Sequence, residues 1–196
     1  MIQKCADAAA GWLIRCDAAA EDDRELYAYA IHSFLLSFSP LLLSLTLGIR
    51  MGCVWQSLLV TFPFMVIRKF SGGYHAKHSG VCLFSSCLLL YLCIRLSLSI
   101  TQGQALACIA AGASASLIHF SPIDNKNRRL STEEHRCYKK VTFFLVAAFL
   151  LLDILCLTFH LDACSICISI SILLTAGLQL PCIAKKLLPH IETIQK

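Results

Sequence analysis

Long apolar stretches alternate with short polar segments along the chain. A helix needs roughly 20 mainly apolar residues to cross the hydrocarbon core of a bilayer, and six stretches approach or reach that length. They cover residues 26–48, 53–67, 81–100, 104–120, 141–159 and 163–180. The second is short and interrupted by Pro63, and the sixth is expected to end at Pro181. The pattern predicts an all-α, polytopic membrane bundle of about six transmembrane helices.

The first 25 residues follow a different pattern. Six acidic residues against three basic ones argue against a cleavable signal peptide, which carries a positively charged leading region. One helical face would combine Trp12 with Ile2, Ala6, Ala9, Leu13 and Ala20. Such a helix could lie in the membrane interface. The alternative is a short frayed leader, and the pattern favours neither.

Composition agrees with a membrane protein. Hydrophobic residues make up 57% of the 196 residues and charged residues only 15%, and the mean hydropathy is +0.70. Soluble proteins carry about 25% charged residues. We therefore expect one integral membrane domain over residues 1–196, with residues 1–25 as a cytoplasmic or interfacial segment.

Basic residues lie almost entirely on one predicted side of the bundle. Of the 17 lysines and arginines, the opposite side holds only Arg50, and Arg95 lies within a span. The remaining ones lie in the N-terminal segment, between spans two and three, between spans four and five, and in the tail. Because basic loops stay in the cytoplasm, both termini and the polar segments 68–82 and 121–140 are expected to be cytoplasmic.

The polar segment RKFSGGYHAKHSGVC, residues 68–82, contains the best candidate nucleophile. Cys82 lies at the start of the third predicted span, where Ser79 or Gly80 could cap the helix. The positive end of the helix dipole favours the thiolate form of a cysteine in the first turn. Most of the twelve cysteines instead lie inside apolar runs, where cysteine acts as a small hydrophobic residue.

Two histidines could serve Cys82 as the acid–base partner. His78 is four residues away, one helical turn, and would face the thiol on an early-starting helix. His75 is seven residues away, about 10 Å along a continuous helix, so it can serve only if the chain bends. Spacing alone slightly favours His78. Residues that would permit a bend are Gly72, Gly73, Ser79 and Gly80.

Several alternative interpretations of this segment do not involve a cysteine nucleophile with a histidine partner. Basic residues and glycines are common in any cytoplasmic loop, and His75, His78 and Cys82 could instead offer three metal ligands. Cys164 and Cys167 form one CxxC pair inside an apolar run, which indicates a helix face more than a redox or zinc site. A disulfide framework is not favoured for cysteines placed in this way.

The segment carries a motif that resembles a known family. The motif is Arg68-x-x-x-Gly72-Gly73-x-His75-x6-Cys82. It is similar to that of the accessory gene regulator B (AgrB) family, membrane cysteine endopeptidases that mature autoinducing peptides in Gram-positive quorum sensing. The polar stretch SPIDNKNRRLSTEEHRCYKK, residues 121–140, also resembles a family loop, with a proline, an acid and an asparagine followed by basic residues.

The resemblance implies roles for particular residues. His75 matches the catalytic histidine and Cys82 the nucleophile, which overrides the preference of simple spacing for His78. Arg68 and Gly73 match positions that the family needs for activity. The implied substrate is an AgrD-like propeptide whose acidic C-terminal tail is removed through an acyl-enzyme thioester, with release of a thiolactone or lactone ring.

The resemblance also implies partners and a location. We expect a multi-pass protein of a Gram-positive cell membrane, with a cytoplasmic site, in contact with the lipid bilayer and forming a homodimer. No cofactor, metal or nucleic acid is expected. An acidic tail could dock on basic residues beside the site, although these charges could also serve topology alone. The basic residues concerned are Arg68, Lys69, Lys126, Arg128 and Arg129.

Four further residues have less definite expected roles. Asp124 and Asn125 are candidates for orienting the histidine. Arg95 and Asp153 lie within predicted spans, where charges are often paired or functional. A rival class is a non-enzymatic membrane protein, such as a small transporter or a partner subunit. It would need polar residues along several helices, whereas the remaining spans offer mainly Ser, Thr and Gln.

Overall fold

The computed structural model is all-helical in the part of the chain that it describes, which confirms the predicted all-α bundle. It describes residues 2–16, 20–72, 79–123 and 131–194, without the side chains of residues 2–3, 33, 36–37, 79–83 and 185–194. The helices are α1 (Ile2–Arg15), α2 (Arg24–Met51), α3 (Val54–Ser71), α4 (Ser79–Ser99), α5 (Gly103–Phe120), α6 (Thr132–Thr158) and α7 (Asp162–Ile194). A short 3-10 turn, Glu21–Asp23, precedes α2.

Three described segments are long and apolar enough to cross a membrane. They are Gly103–Phe120 in α5, Thr132–Thr158 in α6 and Asp162–Ala184 in α7. Shorter apolar helices cover Phe38–Met51 and Phe84–Ser99. The chain is therefore a helical membrane protein, and the total of six spans stays a prediction.

Two helices continue past the ends that their prolines and apolar stretches predict. Helix α3 runs through Pro63 to Ser71, so Arg68 and Lys69 lie in its last turn. Helix α7 runs through Pro181 to Ile194, so the predicted end at Pro181 is wrong. Proline removes one hydrogen bond and crowds the carbonyl four residues earlier, which here belongs to Gly177. A glycine backbone can tilt away, and membrane helices tolerate such prolines.

Helix α6 begins nine residues before its apolar stretch. Ser131 and Glu134 form a capping box, in which the Ser131 Oγ accepts from the Glu134 N–H at 3.2 Å and the Ser131 N–H donates to the Glu134 carboxylate at 2.9 Å. Two donors that the helix start would leave unbonded are satisfied in this way. The segment 121–140 is therefore helical from Thr132 onward and is not a loop throughout, contrary to expectation.

The chain divides within α2 into two compact units, Met1–Leu43 and Ser44–Lys196. In the first unit α1 is a regular helix, so the alternative prediction of a short frayed leader is wrong. Ala6 and Ala10 are fully buried, whereas Trp12 is 61% exposed. An interfacial position for α1 stays a prediction.

Helix α7 forms the centre of the second unit. It packs against α3, α4, α5 and α6. One core cluster joins α3, α5, α6 and α7, and a smaller one joins α3 and α7. Their fully buried members include Ile67, Leu117, Val146, Ile168 and Ile172 in the first cluster and Val60, Ile166, Cys167 and Ile170 in the second.

Polar side chains inside this unit are bonded across helix contacts. Ser171 of α7 donates to the carbonyl of Val60 in α3 at 2.6 Å. Asp153 of α6 accepts from the hydroxyls of Ser165 and Ser169 in α7 at 2.5 and 2.7 Å. Small hydroxyl residues let membrane helices approach closely and bond to each other. Asp153 is thus satisfied by α7 hydroxyls and forms no pair with Arg95, whose side chain is exposed.

Candidate active site

Two basic residues lie in the last turn of α3. Arg68 is half-buried, and its guanidinium lies 5.6 Å from the centre of the Phe64 ring, a cation–π distance. Lys69 is exposed, with its Nζ 5.7 Å from the Phe70 ring. Phe70 in turn meets Tyr138 of α6 edge to face at 5.7 Å. The end of α3 is therefore packed against α6, and Lys69 is the more accessible of the two charges.

Gly72 ends α3 in a conformation that requires glycine. Its N–H still donates to the Arg68 carbonyl at 3.1 Å, but its φ of +73° and ψ of −160° leave the helix. Side chains rarely tolerate that backbone region. A Cβ added here would also lie 2.5 Å from the carbonyl oxygen of Ile123. The backbone conformation and the close approach of Ile123 therefore explain why position 72, the first of the Gly72-Gly73 pair, is a glycine.

The chain leaving α3 is joined to the chain leaving α5. The Ile123 N–H donates to the Ser71 carbonyl at 3.0 Å, and Gly72 and Ile123 form an isolated parallel bridge. Ser121 caps the end of α5 through its N–H, which donates to the Leu117 carbonyl. Most of the predicted site residues belong to segments 73–78 and 124–130. The residues that precede these two segments, Gly72 and Ile123, are therefore neighbours.

Gln179 of α7 ties this arrangement together. Its Nε2 donates to the Ser71 carbonyl at 3.1 Å and to the Ser121 Oγ at 2.9 Å. All three residues are buried, with exposed fractions of 3% or less. We call Ser71, Gly72, Ser121, Ile123 and Gln179 the loop junction. Three helices meet there, because α3, α5 and α7 each contribute to it.

Sequence reasoning missed Gln179, Ser71 and Ser121. A signal existed for Gln179, since it is the one amide side chain inside the sixth stretch, where polar groups usually bond to another helix. Its partners left no signal, because a serine at a helix end is common in any sequence.

Cys82 is the fourth residue of α4, in the first helical turn, as its position at a helix start predicted. Its side chain lies outside the described part of the structure. Ser79 and Gly80 are already helical, so the predicted bend does not fall at these two residues. A helix start tolerates both residue types without leaving helical geometry.

Several predicted site residues lie outside the described residues. They are Gly73, His75, His78, Asp124, Asn125, Lys126, Arg128 and Arg129. The choice between His75 and His78 and the possible orienting role of Asp124 or Asn125 therefore stay predictions.

The cysteines whose side chains are described are all free thiols. Cys164 packs against the core cluster shared by four helices, and Cys167 belongs to the smaller cluster. The CxxC pair therefore contributes to two parts of the core.

These features define a helical membrane protein in which two polar segments leave one buried junction, and a cysteine lies in the first turn of another helix of the same unit. The chain belongs to the AgrB family, because the family model described as accessory gene regulator B matches residues 6–181. Membership gives the protein a general role in quorum sensing.

Two relatives from Clostridium perfringens support the family assignment. "Putative AgrB-like protein 2" of strain 13 is 20% identical over 151 residues, which cover 71% of this chain and 70% of the relative. "Putative AgrB-like protein" of strain SM101 is 21% identical over 143 residues, covering 67% of this chain and 66% of the relative. No solved structure matches the chain.

Proposed function

We propose that the protein is a membrane-embedded cysteine endopeptidase that removes the acidic C-terminal tail of an AgrD-like propeptide and permits its cyclisation. The observation that carries the proposal is the loop junction. His75 follows Gly72 by three residues, and Asp124 follows Ile123 directly. Since three residues span at most about 10 Å, the bond between Ser71 and Ile123 limits how far apart the two candidate groups can lie, which supports a shared site.

The proposed reaction begins with the Cys82 thiolate. It attacks the scissile carbonyl, a bond forms between the sulfur and the carbonyl carbon, and the C–N bond breaks. The protonated His75 gives its proton to the departing amine, which leaves with the acidic tail. The enzyme then holds the remaining peptide as a thioester on Cys82.

The second step makes the ring. The propeptide's own cysteine or serine attacks the thioester, its proton passes to His75, and Cys82 is released as the thiolate. Exchange of one thioester for another is nearly neutral in free energy, whereas water would consume the intermediate irreversibly. The site must therefore exclude water until the ring closes. Cys82 lies in the first turn of a helix that is predicted to span the membrane, and a position at the membrane interface suits this requirement.

Exposed basic residues favour an acidic substrate. Lys69 lies exposed in the last turn of α3, and Lys139 and Lys140 lie exposed on α6. The last two border a groove of about 520 Å³ with Ile118, Phe143 and Phe144. Positive charge beside an apolar surface matches an amphipathic peptide with an acidic end. Lys126, Arg128 and Arg129 would add to this charge, as would Arg68 on the half-buried side.

The proposed setting is the cell membrane of a Gram-positive bacterium, with both termini and the site in the cytoplasm and the protein present as a homodimer in the lipid bilayer. The positive-inside distribution of lysine and arginine supports this orientation.

The test is co-expression with the propeptide encoded beside the gene. Mass spectrometry should detect the released acidic tail and a cyclic product smaller by one water than the linear peptide. Cys82→Ala should abolish both, while Cys164→Ala and Cys167→Ala should retain them. Normal tail release by Cys82→Ala would refute the peptidase proposal and favour a non-enzymatic membrane protein.

A further inference from the structure

The orientation of the Gln179 amide is fixed by its neighbours. The Ser71 carbonyl is an acceptor only, so the side of the amide that faces it at 3.1 Å must be the NH2 group. The same Nε2 donates to the Ser121 Oγ at 2.9 Å. The Ser71 carbonyl therefore receives two hydrogen bonds, one from Gln179 and one from the Ile123 N–H.

The other end of this amide is not explained by packing. Gln179 is 1% exposed, and its Oε1 is buried without a hydrogen-bond partner in the described part of the chain. A buried acceptor that lacks a partner destabilises the folded state. An apolar side chain of the same size would avoid that cost. The presence of an amide at this position is therefore better explained by the two hydrogen bonds that its NH2 group donates, to Ser71 and Ser121, than by packing in the core.

We infer that Gln179 is a positioning residue for the peptidase reaction, an inference that rests on the proposed function. Its NH2 group holds the end of α3 against the end of α5. That contact sets where segment 73–78, with His75, and segment 124–130, with Asp124, begin. Loss of the two hydrogen bonds would let the two starting points separate and displace the histidine from Cys82.

Catalysis is sensitive to displacements of this kind. A shift of about 1 Å in a catalytic group can lower the rate about 100-fold. In the proposed function, tail binding depends on exposed charges such as Lys69, whereas the hydrogen bonds of Gln179 go to Ser71 and Ser121. The turnover number should therefore fall while KM changes little.

The experiment compares Gln179→Met with a matched control. Methionine keeps the length of the side chain and removes both hydrogen bonds. Thr175→Val is the control, because Thr175 lies one turn earlier, is fully buried, and donates only to the Ser171 carbonyl of its own helix at 2.8 Å. We expect Gln179→Met to lower kcat at least 10-fold with KM within 2-fold, and Thr175→Val to stay within 2-fold for both.

A conservative variant supplies a signature that a merely structural role would not produce. In Gln179→Glu a protonated carboxyl can donate to the Ser71 carbonyl, whereas the ionised form repels it. Activity relative to the native protein should then be highest at low pH and fall as pH rises. Gln179→Met should show no such trend.

A readout without substrate separates this inference from the proposed function. Hydrogen exchange at the Ile123 amide, which bonds to Ser71, should be faster in Gln179→Met and unchanged in Thr175→Val. Native exchange or native kcat in Gln179→Met would overturn the positioning role even if cleavage by the native protein is observed. Absence of cleavage by the native protein would overturn the proposed function, and the positioning inference with it. A second variant covers the case in which Gln179→Met fails to insert into the membrane. Ser121→Ala removes one of the two hydrogen bonds, so it should also lower kcat and speed exchange at the Ile123 amide, each by a smaller factor.

Discussion

Ile123 donates its backbone N–H to the carbonyl of Ser71 at 3.0 Å, so the chain leaving α5 lies directly against the chain leaving α3. These residues are about fifty positions apart in sequence. The contact joins the two polar segments that the sequence singled out separately, one for its histidine and cysteine and the other for its acid, asparagine and basic residues.

Gly72→Ala tests this contact. The new Cβ would lie 2.5 Å from the Ile123 carbonyl oxygen, and φ of +73° is strained for alanine. We expect at least a 10-fold loss of tail release and a destabilisation of about 1–3 kcal/mol, with normal membrane insertion. Gly112→Ala is the control, because nothing lies within 4 Å of its added Cβ. Normal processing by Gly72→Ala would mean that the bridge is dispensable.

The apolar stretches predicted the helical architecture because a spanning helix must satisfy its own backbone and be apolar over its length. Helix ends were predicted less well. Helix α6 begins early because of the side-chain hydrogen bonds of the capping box at Ser131. Helix α7 continues through Pro181, where Gly177 lies four residues earlier. A hydropathy pattern detects neither feature. The loop junction was not predictable, since it consists of contacts between residues far apart in sequence.

Charge reversal tests the proposed docking of the acidic tail. Lys139→Glu with Lys140→Glu should raise KM for the propeptide several-fold, because the exposed lysines would repel acidic side chains, while kcat changes little. The effect should weaken at high salt, which screens exposed charges. Arg50→Glu is the control on the predicted opposite side of the membrane. Equal effects of the two reversals would argue against docking at α6.

Asp153 is expected to stabilise the fold without taking part in the reaction. Asp153→Leu removes two interhelical hydrogen bonds to Ser165 and Ser169, each worth about 0.6 to 1.7 kcal/mol in membrane proteins. We therefore expect a loss of about 1–3 kcal/mol in unfolding measured in micelles. The kcat of the folded fraction should remain native.

A control for Asp153 is Ser99→Ala, since Ser99 is exposed and its hydroxyl donates within α4 to the Arg95 carbonyl. It should change stability little. A large fall in kcat for Asp153→Leu without lost stability would assign Asp153 to the reaction or to a transport path.

Membrane orientation can be tested by labelling single cysteines on a cysteine-free background. A cysteine at Lys77 or Asn127 should resist an impermeant reagent applied to intact cells, because both segments are expected in the cytoplasm. A cysteine at Gln102 or His160, exposed positions between helices, should react. Strong labelling at Lys77 would refute the cytoplasmic site.

The last prediction separates the two histidines. His75→Ala should abolish tail release and His78→Ala should retain most of it. Helix α4 begins at Ser79, so the spacing that favoured His78 would apply only if the helix extended upstream to residue 78. The resemblance to the AgrB motif favours His75, which reaches Cys82 only if the chain bends before α4.

The same experiment gives a result specific to acid–base catalysis. Cys82 should still be alkylated by iodoacetamide in His75→Ala, at a rate that reports its thiolate fraction, although peptide cleavage is lost. Added imidazole should restore part of the activity of His75→Ala, because it can replace the missing acid–base group, and should leave the activity of His78→Ala unchanged. Gly80→Ala should change activity little, because Gly80 lies in helical geometry. Loss of cleavage in His78→Ala with native activity in His75→Ala would reverse the assignment and make spacing the better guide than the motif.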